Sequence, residues 1–328
     1  MVKFLIIRFS SIGDIVLTTP VIRCMKLQIK DAEIHFLTKA KYQPILSANP
    51  YIDKLHLLHN SMNALTEELR SENFDYIIDL HKNIRTYRIK LLLRRISFSF
   101  NKLNYRKWLL VNFRKNKLPD THIVDRYMKT ADVFSVANDH KGLDYFVPED
   151  TMDTAPKLTG ELPGSYIVVV VGGGHNTKQI PPDKINAMID RLTCNIVLLG
   201  GPEDVQKAKQ IEHSDKKNVF DLVGKLTVNQ SAFIIKKSLL IVTPDTGLMH
   251  IAAAFKKKII SVWGNTVPEF GMYPYLPHKN SRLFEVNGLS CRPCSKIGFS
   301  KCPKKHFNCM KQQDYQEIVS TIERFIGK

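Results

Sequence analysis

No stretch of this sequence approaches the roughly 18 consecutive apolar residues that a membrane-spanning helix needs, so a membrane-embedded fold is not expected. The opening "MVKFLIIRFSSIGD" has too short an apolar run, and no small-residue cleavage signature, for a secretory signal. The expected location is the cytoplasm. Nothing repeats at a solenoid period and no tract is of low complexity, which sets aside repeat arrays and low-complexity disorder. Helix-turn-helix, zinc-finger and ribonucleoprotein signatures are missing too, leaving nucleic acid unsupported as a partner. The remaining shortage is acidic: 31 Asp and Glu face 48 Lys and Arg, a formal charge of +17, which favours anionic partners such as phosphorylated lipids or nucleotide-linked substrates.

What is present reads as a soluble two-domain protein. The 328 residues exceed the usual ceiling for one hydrophobic core, and 44% hydrophobic with 24% charged residues is globular composition. Short β-branched runs alternate with helical patterns, which predicts parallel sheets flanked by helices, an α/β fold of two doubly wound, Rossmann-like halves. Phe4–Ile7, Glu33–Leu37 and Tyr76–Asp79 read as strands of the first half. Ile167–Val171, Asn195–Leu199, Leu239–Val242 and Lys258–Val262 read as buried strands of the second. Helices are expected over Pro182–Leu192, Glu203–Glu212, Val228–Lys237 and Asp314–Ile326. The stretch "DTMDTAPKLTGELP", Asp150 to Pro163, reads as an interdomain linker, giving domains of 1–155 and 156–328.

Ligands of such folds lie outside the carboxyl ends of the strands, where loops enter helices. Four loops qualify. In "RFSSIGDIVLTTP" Gly13 permits a tight turn, and Ser11 and Asp14 either cap the helix or receive ligand groups; Asp14 is an N-cap or a general base taking a proton from a substrate hydroxyl. This loop is not the GxGxxG of a dinucleotide fold. In "VGGGHNTKQIPPDK" the glycines, Gly173 among them, let backbone amides approach an anion, and Lys178 adds a point charge; the bland alternative is a plain turn. In "LLGGPEDVQKA" Glu203 is placed to hold ribose hydroxyls, or merely complements a helix dipole. In "TPDTGLMHIAAAF" the segment Asp245, Thr246, Gly247 opens a helix whose free N–H groups would meet a diphosphate, with His250 on the same face as Thr246.

Two further features stand out. Basic residues cluster between Lys82 and Lys117, interleaved with Tyr87, Phe98, Tyr105, Trp108 and Phe113; the segment either faces something acidic or is a solvated face with snorkelling stems. Cys291, Cys294, Cys302 and Cys309 form "CRPCSKIGFSKCPKKHFNC", a set suited to a structural zinc or iron, or else a reduced loop or one labile disulfide. Basic neighbours are expected to keep these thiols ionised.

"SSIGDIVLTTP", "TKQIPPDK", "LLGGPED" and "VTPDTGLMHIAAAF" followed by "SVWGNTVPEFGMYP" together resemble glycosyltransferase family 9, the bacterial ADP-heptose:lipopolysaccharide heptosyltransferases, over nearly the whole chain. The resemblance implies a GT-B fold with the acceptor bound by the first domain, the nucleotide sugar by the second, and a C-terminal helix returning toward the first. It implies Asp14 as the base of an inverting single displacement. Lys178, Asp245, Thr246, Gly247, Leu248 and His250 are expected around the donor diphosphate and sugar, and Glu203 around the ribose. Lys82, Arg85, Arg88, His122 and Arg126 are the acceptor contacts it suggests, for an anionic glycolipid reached at the inner leaflet of the inner membrane. No Asp-x-Asp occurs in the chain, so no divalent metal is expected to be required on the diphosphate. Two other functions fit these residues less well: the same fold with a different nucleotide sugar or glycolipid acceptor, and a non-catalytic polyanion-binding paralogue.

Overall fold

The computed structural model describes residues 1–159, 162–212 and 216–327. The chain divides into two compact units, Met1–Leu103 with Thr121–Pro148, and Asn104–Asp120 with Glu149–Lys328.

The first unit holds strands β1 (Val2–Ile7), β2 (Ala32–Lys39), β3 (Lys54–Leu58), β4 (Tyr76–Asp79) and β5 (Ile96–Ser99). They form one sheet in the order β3-β2-β1-β4-β5, with every pairing parallel. Strands of such sheets are covered on both faces and read as continuous apolar runs, which is why β1 is buried from Phe4 to Ile7. Edge strands escape that rule. β3 reads KLHLL and β5 ISFS, and neither stands out as a strand in the sequence. Leu5, Ile7 and Phe9 pack with Leu65 and Leu69 of the helix Met62–Ser71, Ile77 of β4 and Ile89 of the helix Ile84–Leu93. Arg23, buried on the helix Thr19–Gln28, holds Asp139 through Nε and Nη2 at 2.9 and 2.8 Å, the Gly142 carbonyl at 2.9 Å, and Asp144. It thereby pins the closing segment of this unit to its second helix.

The second unit contains β6 (Tyr166–Val170), β7 (Asn195–Leu199), β8 (Val219–Asp221), β9 (Leu240–Pro244), β10 (Lys258–Trp263) and β11 (Arg282–Glu285). Their order is β11-β10-β9-β6-β7-β8, again all parallel. Its core joins β6, β7, β9 and β10 to Ile185, Met188 and Ile189 of the helix Pro182–Ile189 and to Ile318, Val319 and Ile322 of the C-terminal helix Tyr315–Ile326.

Three expectations need correction. The supposed linker begins as a helix, Glu149–Thr159, with acidic residues in its first turn and Thr151 and Ala155 buried on one face; residues 160 and 161 of that stretch lie outside the described residues. The helix packs on Val228–Lys237, so it is an element of the second unit rather than a tether. The expected helix Glu203–Glu212 is shorter, Val205–Ala208 after a 3-10 turn at Pro202–Asp204. The helix Asn104–Phe113, inside the stretch read as the first domain, also groups with the second unit: Leu110 is buried against Val267 and Phe270. Arg114 just after it bonds the carbonyls of Ser290 and Pro293, both at 2.9 Å. Among the described residues no helix is long and apolar enough to cross a membrane.

Candidate active site

Each sheet reverses its strand order once at its middle, between β1 and β4 in the first unit and between β6 and β9 in the second. Open α/β sheets bind ligands at the carboxyl ends of the strands flanking such a point. The loops singled out from the sequence leave three of these four strands.

In the first unit β1 runs into Arg8–Ser11 and then the helix Ile12–Val16. Ser11, not Asp14, is the N-cap. Asp14 is the third helical residue and reaches back, its Oδ2 accepting from Ser11 N at 3.1 Å and Ser11 Oγ at 2.8 Å. Gly13 is buried in the same turn. Oδ1 of Asp14 lies 2.5 Å from Nη2 of Arg8. The rest of that guanidinium is also committed: Nε donates to Ser10 O at 2.8 Å, and Nη1 to Leu80 O at 2.5 Å and to the Tyr127 hydroxyl at 3.0 Å. Burial alone would push the Asp14 carboxyl up, but the Arg8 charge and the Ser11 hydrogen bonds outweigh it and hold the group below its ordinary value. Asp14 is therefore an ionised acceptor at neutral pH, 19% exposed.

The loop after β4 meets this one. Asp79 Oδ1 accepts from the amides of His81 and Lys82 at 3.1 and 2.6 Å, while Lys90 Nζ lies 3.1 Å from Oδ2. This turn sets His81 edge-on to Phe9. Burial, then the charges of Arg8 and Lys102, push His81 down to about 4, so its imidazole is neutral. Among the described residues its buried Nδ1 has no hydrogen-bond partner. Arg8, His81, Lys102 and Tyr127 were not expected at this site from the sequence. Arg8 opens the quoted loop, yet its partners Leu80 and Tyr127 are 72 and 119 residues away.

In the second unit β6 leads into Gly172–Gly174 and a 3-10 turn at Asn176–Lys178, and β9 leads into the helix Gly247–Ala254 with Thr246 as its N-cap. The two loops touch. Lys178 Nζ lies 2.5 Å from Asp245 Oδ2, which also accepts from Thr266 Oγ1 at 3.1 Å. A Cβ on Gly173 would stand 3.3 Å from Thr246 Cγ2. Thr246 Oγ1 accepts from Met249 N at 3.4 Å and lies 3.1 Å from Thr243 Oγ1. Asp245, Thr246, Gly247 and Leu248 are half-buried, whereas His250 is only 1% exposed. The arrangement gathers a cation, a hydroxyl and the free amides of a helix N-terminus, which suits an anion.

A layer unread in the sequence supports the glycines. The side chain of Asp204 fills the place where a Cβ on Gly172 would be, 1.8 Å from its Oδ2. Gln179 Nε2 donates to Gly173 O at 2.8 Å and Asp204 Oδ1 at 3.1 Å, and Lys207 Nζ to Val171 O at 3.0 Å and Gln179 Oε1 at 3.1 Å. Burial raises Asp204 and lowers Lys207 to about 8. Glu203, one residue earlier, is exposed at the loop after β7 and folds its carboxylate toward Gly201.

The acceptor candidates separate into two groups. Lys82, Arg85 and Arg88 are exposed at the start of the helix Ile84–Leu93. His122 and Arg126 are 2% and 5% exposed, and His122 Nδ1 caps the helix Ile123–Met128 by accepting from Val124 N at 3.1 Å. For the cysteines, the six among the described residues are free. Cys291 Sγ lies 3.8 Å from His306 Nε2, a donor the sequence reading omitted, and Cys294 Sγ bonds Cys291 O at 3.0 Å. The basic neighbours do not keep Cys294 and Cys309 ionised. Burial, reinforced by the neighbouring sulfurs, pushes Cys294 to about 11 and Cys309 to about 12.

Two doubly wound units, the first presenting an ionised aspartate and the second an anion-receptive pair of loops at the carboxyl ends of their central strands, have the GT-B fold of glycosyltransferases. The chain belongs to glycosyltransferase family 9 (heptosyltransferase), whose family description matches residues 62–304. It is 25% identical to lipopolysaccharide heptosyltransferase 1 of Campylobacter coli, over 99% of each chain. It is 27% identical to lipopolysaccharide heptosyltransferase 3 of Escherichia coli K12, over 77% of this chain and 80% of that one. Among solved structures it resembles a family 9 glycosyl transferase from Veillonella parvula, with a TM-score of 0.78 at 18% identity over 98% of this chain and 96% of that one. It also resembles the ADP-heptose lps heptosyltransferase II of Escherichia coli, with a TM-score of 0.74 at 18% identity over 98% of each.

Proposed function

We propose that this glycosyltransferase moves heptose from ADP-heptose to an inner-core hydroxyl of a lipopolysaccharide precursor, with inversion at the anomeric carbon. The names of its relatives support the donor and acceptor classes. The acceptor hydroxyl oxygen attacks the anomeric carbon, its proton passes to Asp14, and the bond to the diphosphate breaks with its electron pair leaving on ADP. No covalent enzyme intermediate is required. Asp14 suits the base role because Arg8 and Ser11 keep it ionised without occupying every lone pair.

Negative charge grows on the departing diphosphate, so the groups that should stabilise the transition state most are Lys178, Thr246 and the amides that open the helix at Gly247. The observation that carries this assignment is the meeting of Lys178 with the Asp245–Thr246 loop at the reversal point of the second sheet. Gly173 and Leu248 would line the same donor site, His250 would act from behind it, and Glu203 would hold the ribose. Lys82, Arg85 and Arg88 would meet an anionic glycolipid, and the excess positive charge would favour peripheral contact with the inner leaflet. The reaction would need no cofactor. Cys291, Cys294, Cys302 and Cys309, with His306 beside Cys291, would hold a structural zinc or iron by exchanging thiol protons for the ion.

A donor screen tests the proposal. The enzyme is incubated with several nucleotide sugars and a lipopolysaccharide precursor, released nucleotide is compared with transferred sugar, and the anomeric configuration of the product is read by NMR. ADP-heptose should give equal release and transfer with inversion. Silence with ADP-heptose and turnover with another nucleotide sugar would overturn it.

A further inference from the structure

His35 of β2 and His56 of β3 lie on the same face of the first sheet, since His56 pairs with Leu37, two residues beyond His35. Both rings are fully buried, stacked at 5.1 Å between centroids and walled by Phe74. Their outward nitrogens each meet a carboxylate: His35 Nε2 lies 2.7 Å from Glu33 Oε1, and His56 Nδ1 lies 2.5 Å from Glu68 Oε1. Those contacts favour an N–H on the outward side of each ring. The inward atoms, His35 Nδ1 and His56 Nε2, then confront each other as two lone pairs only 2.9 Å apart. A cation between them, either a metal ion or a shared proton, would satisfy both nitrogens.

Glu72, which ends the helix Met62–Ser71, brings a third ligand atom. Its Oε1 is taken by Lys54, and its Oε2 comes to 3.9 Å from His35 Nδ1. Among the described residues His35, His56 and Glu72 are the one set of three such groups whose ligand atoms all fall within 4.8 Å of one another. Bonds of about 2.0–2.1 Å to a tetrahedral zinc ion would set ligand atoms about 3.3 Å apart; the two spacings from His35 Nδ1, 2.9 and 3.9 Å, bracket that value, and the third lies within 4.8 Å. Histidines whose second N–H is held by a carboxylate are the usual outer layer of metal sites, fixing tautomer and ring orientation.

We infer that His35 Nδ1, His56 Nε2 and Glu72 Oε2 form a binding site for a zinc-class divalent ion in the first unit, apart from Asp14 and from the cysteines. The ion ties β2, β3 and the end of the helix Met62–Ser71 together and plays no part in sugar transfer. Lys3 Nζ, 3.6 Å from Glu72 Oε2, is 27% exposed and has Glu33 as a second partner at 3.3 Å, so it can yield to the ion.

The test is zinc titration of the metal-stripped full chain by calorimetry, in a background carrying Cys291→Ser, Cys294→Ser, Cys302→Ser and Cys309→Ser. One equivalent should bind. His35→Gln and Glu72→Gln should weaken binding at least a hundredfold, and Glu33→Gln or Glu68→Gln about 10- to 100-fold through the outer layer. If the cysteine variant does not fold, the unsubstituted chain serves: zinc should shift the ¹⁵N resonances of both buried rings and abolish exchange of a proton between them. Binding indifferent to His35→Gln, or buried rings that ignore zinc and share a proton, would overturn the site and leave a proton-bridged histidine pair.

Discussion

Arg8 Nη2 stands 2.5 Å from Asp14 Oδ1 while the same guanidinium holds Leu80 O and the Tyr127 hydroxyl. The proposed base is thus fixed by a cation anchored to the loop after β4 and to the helix Ile123–Met128. Asp14→Asn keeps the shape and loses the charge. Turnover should fall by about 10²- to 10⁴-fold with ADP affinity unchanged, and preserved turnover would remove Asp14 from the base role. Arg8→Met takes away the influence that offsets burial, so the Asp14 carboxyl should rise. The acid limb of kcat/KM then moves to higher pH, which a pH–rate profile measures.

Lys178 and Thr246 should act on the donor rather than on the proton. Hydrogen bonds to charged groups contribute about 1.5–3 kcal/mol, so Lys178→Ala should weaken ADP binding at least tenfold by calorimetry, with Asp245, left with only Thr266 as a partner, adding to the loss. Thr246→Ala should cost less in affinity and more in helix stability, about 1 kcal/mol for a lost N-cap. Unchanged ADP affinity in both variants would move the donor site elsewhere.

The glycine turn separates packing from chain reversal. At Gly172 a Cβ would collide with Asp204 Oδ2, whereas at Gly174 it would meet nothing within 4 Å. Gly172→Ala should destabilise by about 1–3 kcal/mol and lower Tm, while Gly174→Ala should leave Tm nearly unchanged. Equal effects would mean that Asp204 does not set the turn.

Arg23 is the buried cation whose loss should be felt most. Arg23→Met removes the buried charge that Asp139 and Asp144 share and should destabilise by about 3–5 kcal/mol. Arg23 draws Asp139 down to about 2. Its contribution to stability is present above the unfolded value near 3.8 and is lost as pH falls toward 2. Denaturant titrations across that window should show wild type losing more stability than Arg23→Met, whose Asp139 keeps only the Lys141 amide and the Cys24 thiol.

The parts of this protein legible in its sequence are those that local physics dictates. β1, β6 and β9 announce themselves because buried parallel strands carry unbroken apolar runs, and the loops after them because a strand must turn sharply to enter a helix. Ser11, Gly13, Asp14, Gly173, Lys178 and Thr246 follow from that geometry. What escaped notice depends on distant parts of the chain. Arg8 has its meaning from Tyr127, 119 residues on, and Asp204 from a glycine in another loop. The helix Glu149–Thr159 was hidden by turn-favouring residues that follow its first turns. His35 and His56 are single polar residues in short strands and acquire company only when the sheet assembles.

The helix Asn104–Phe113 has a practical consequence for anyone dissecting this protein. Residues 149–328 contain the entire six-stranded sheet, yet a fragment cut there omits the segment that covers Val267 and Phe270. It would present bare apolar surface and leave the carbonyls of Ser290 and Pro293 without Arg114. Such a fragment should aggregate on expression, and a soluble half-protein would need Asn104–Asp120 grafted back onto it.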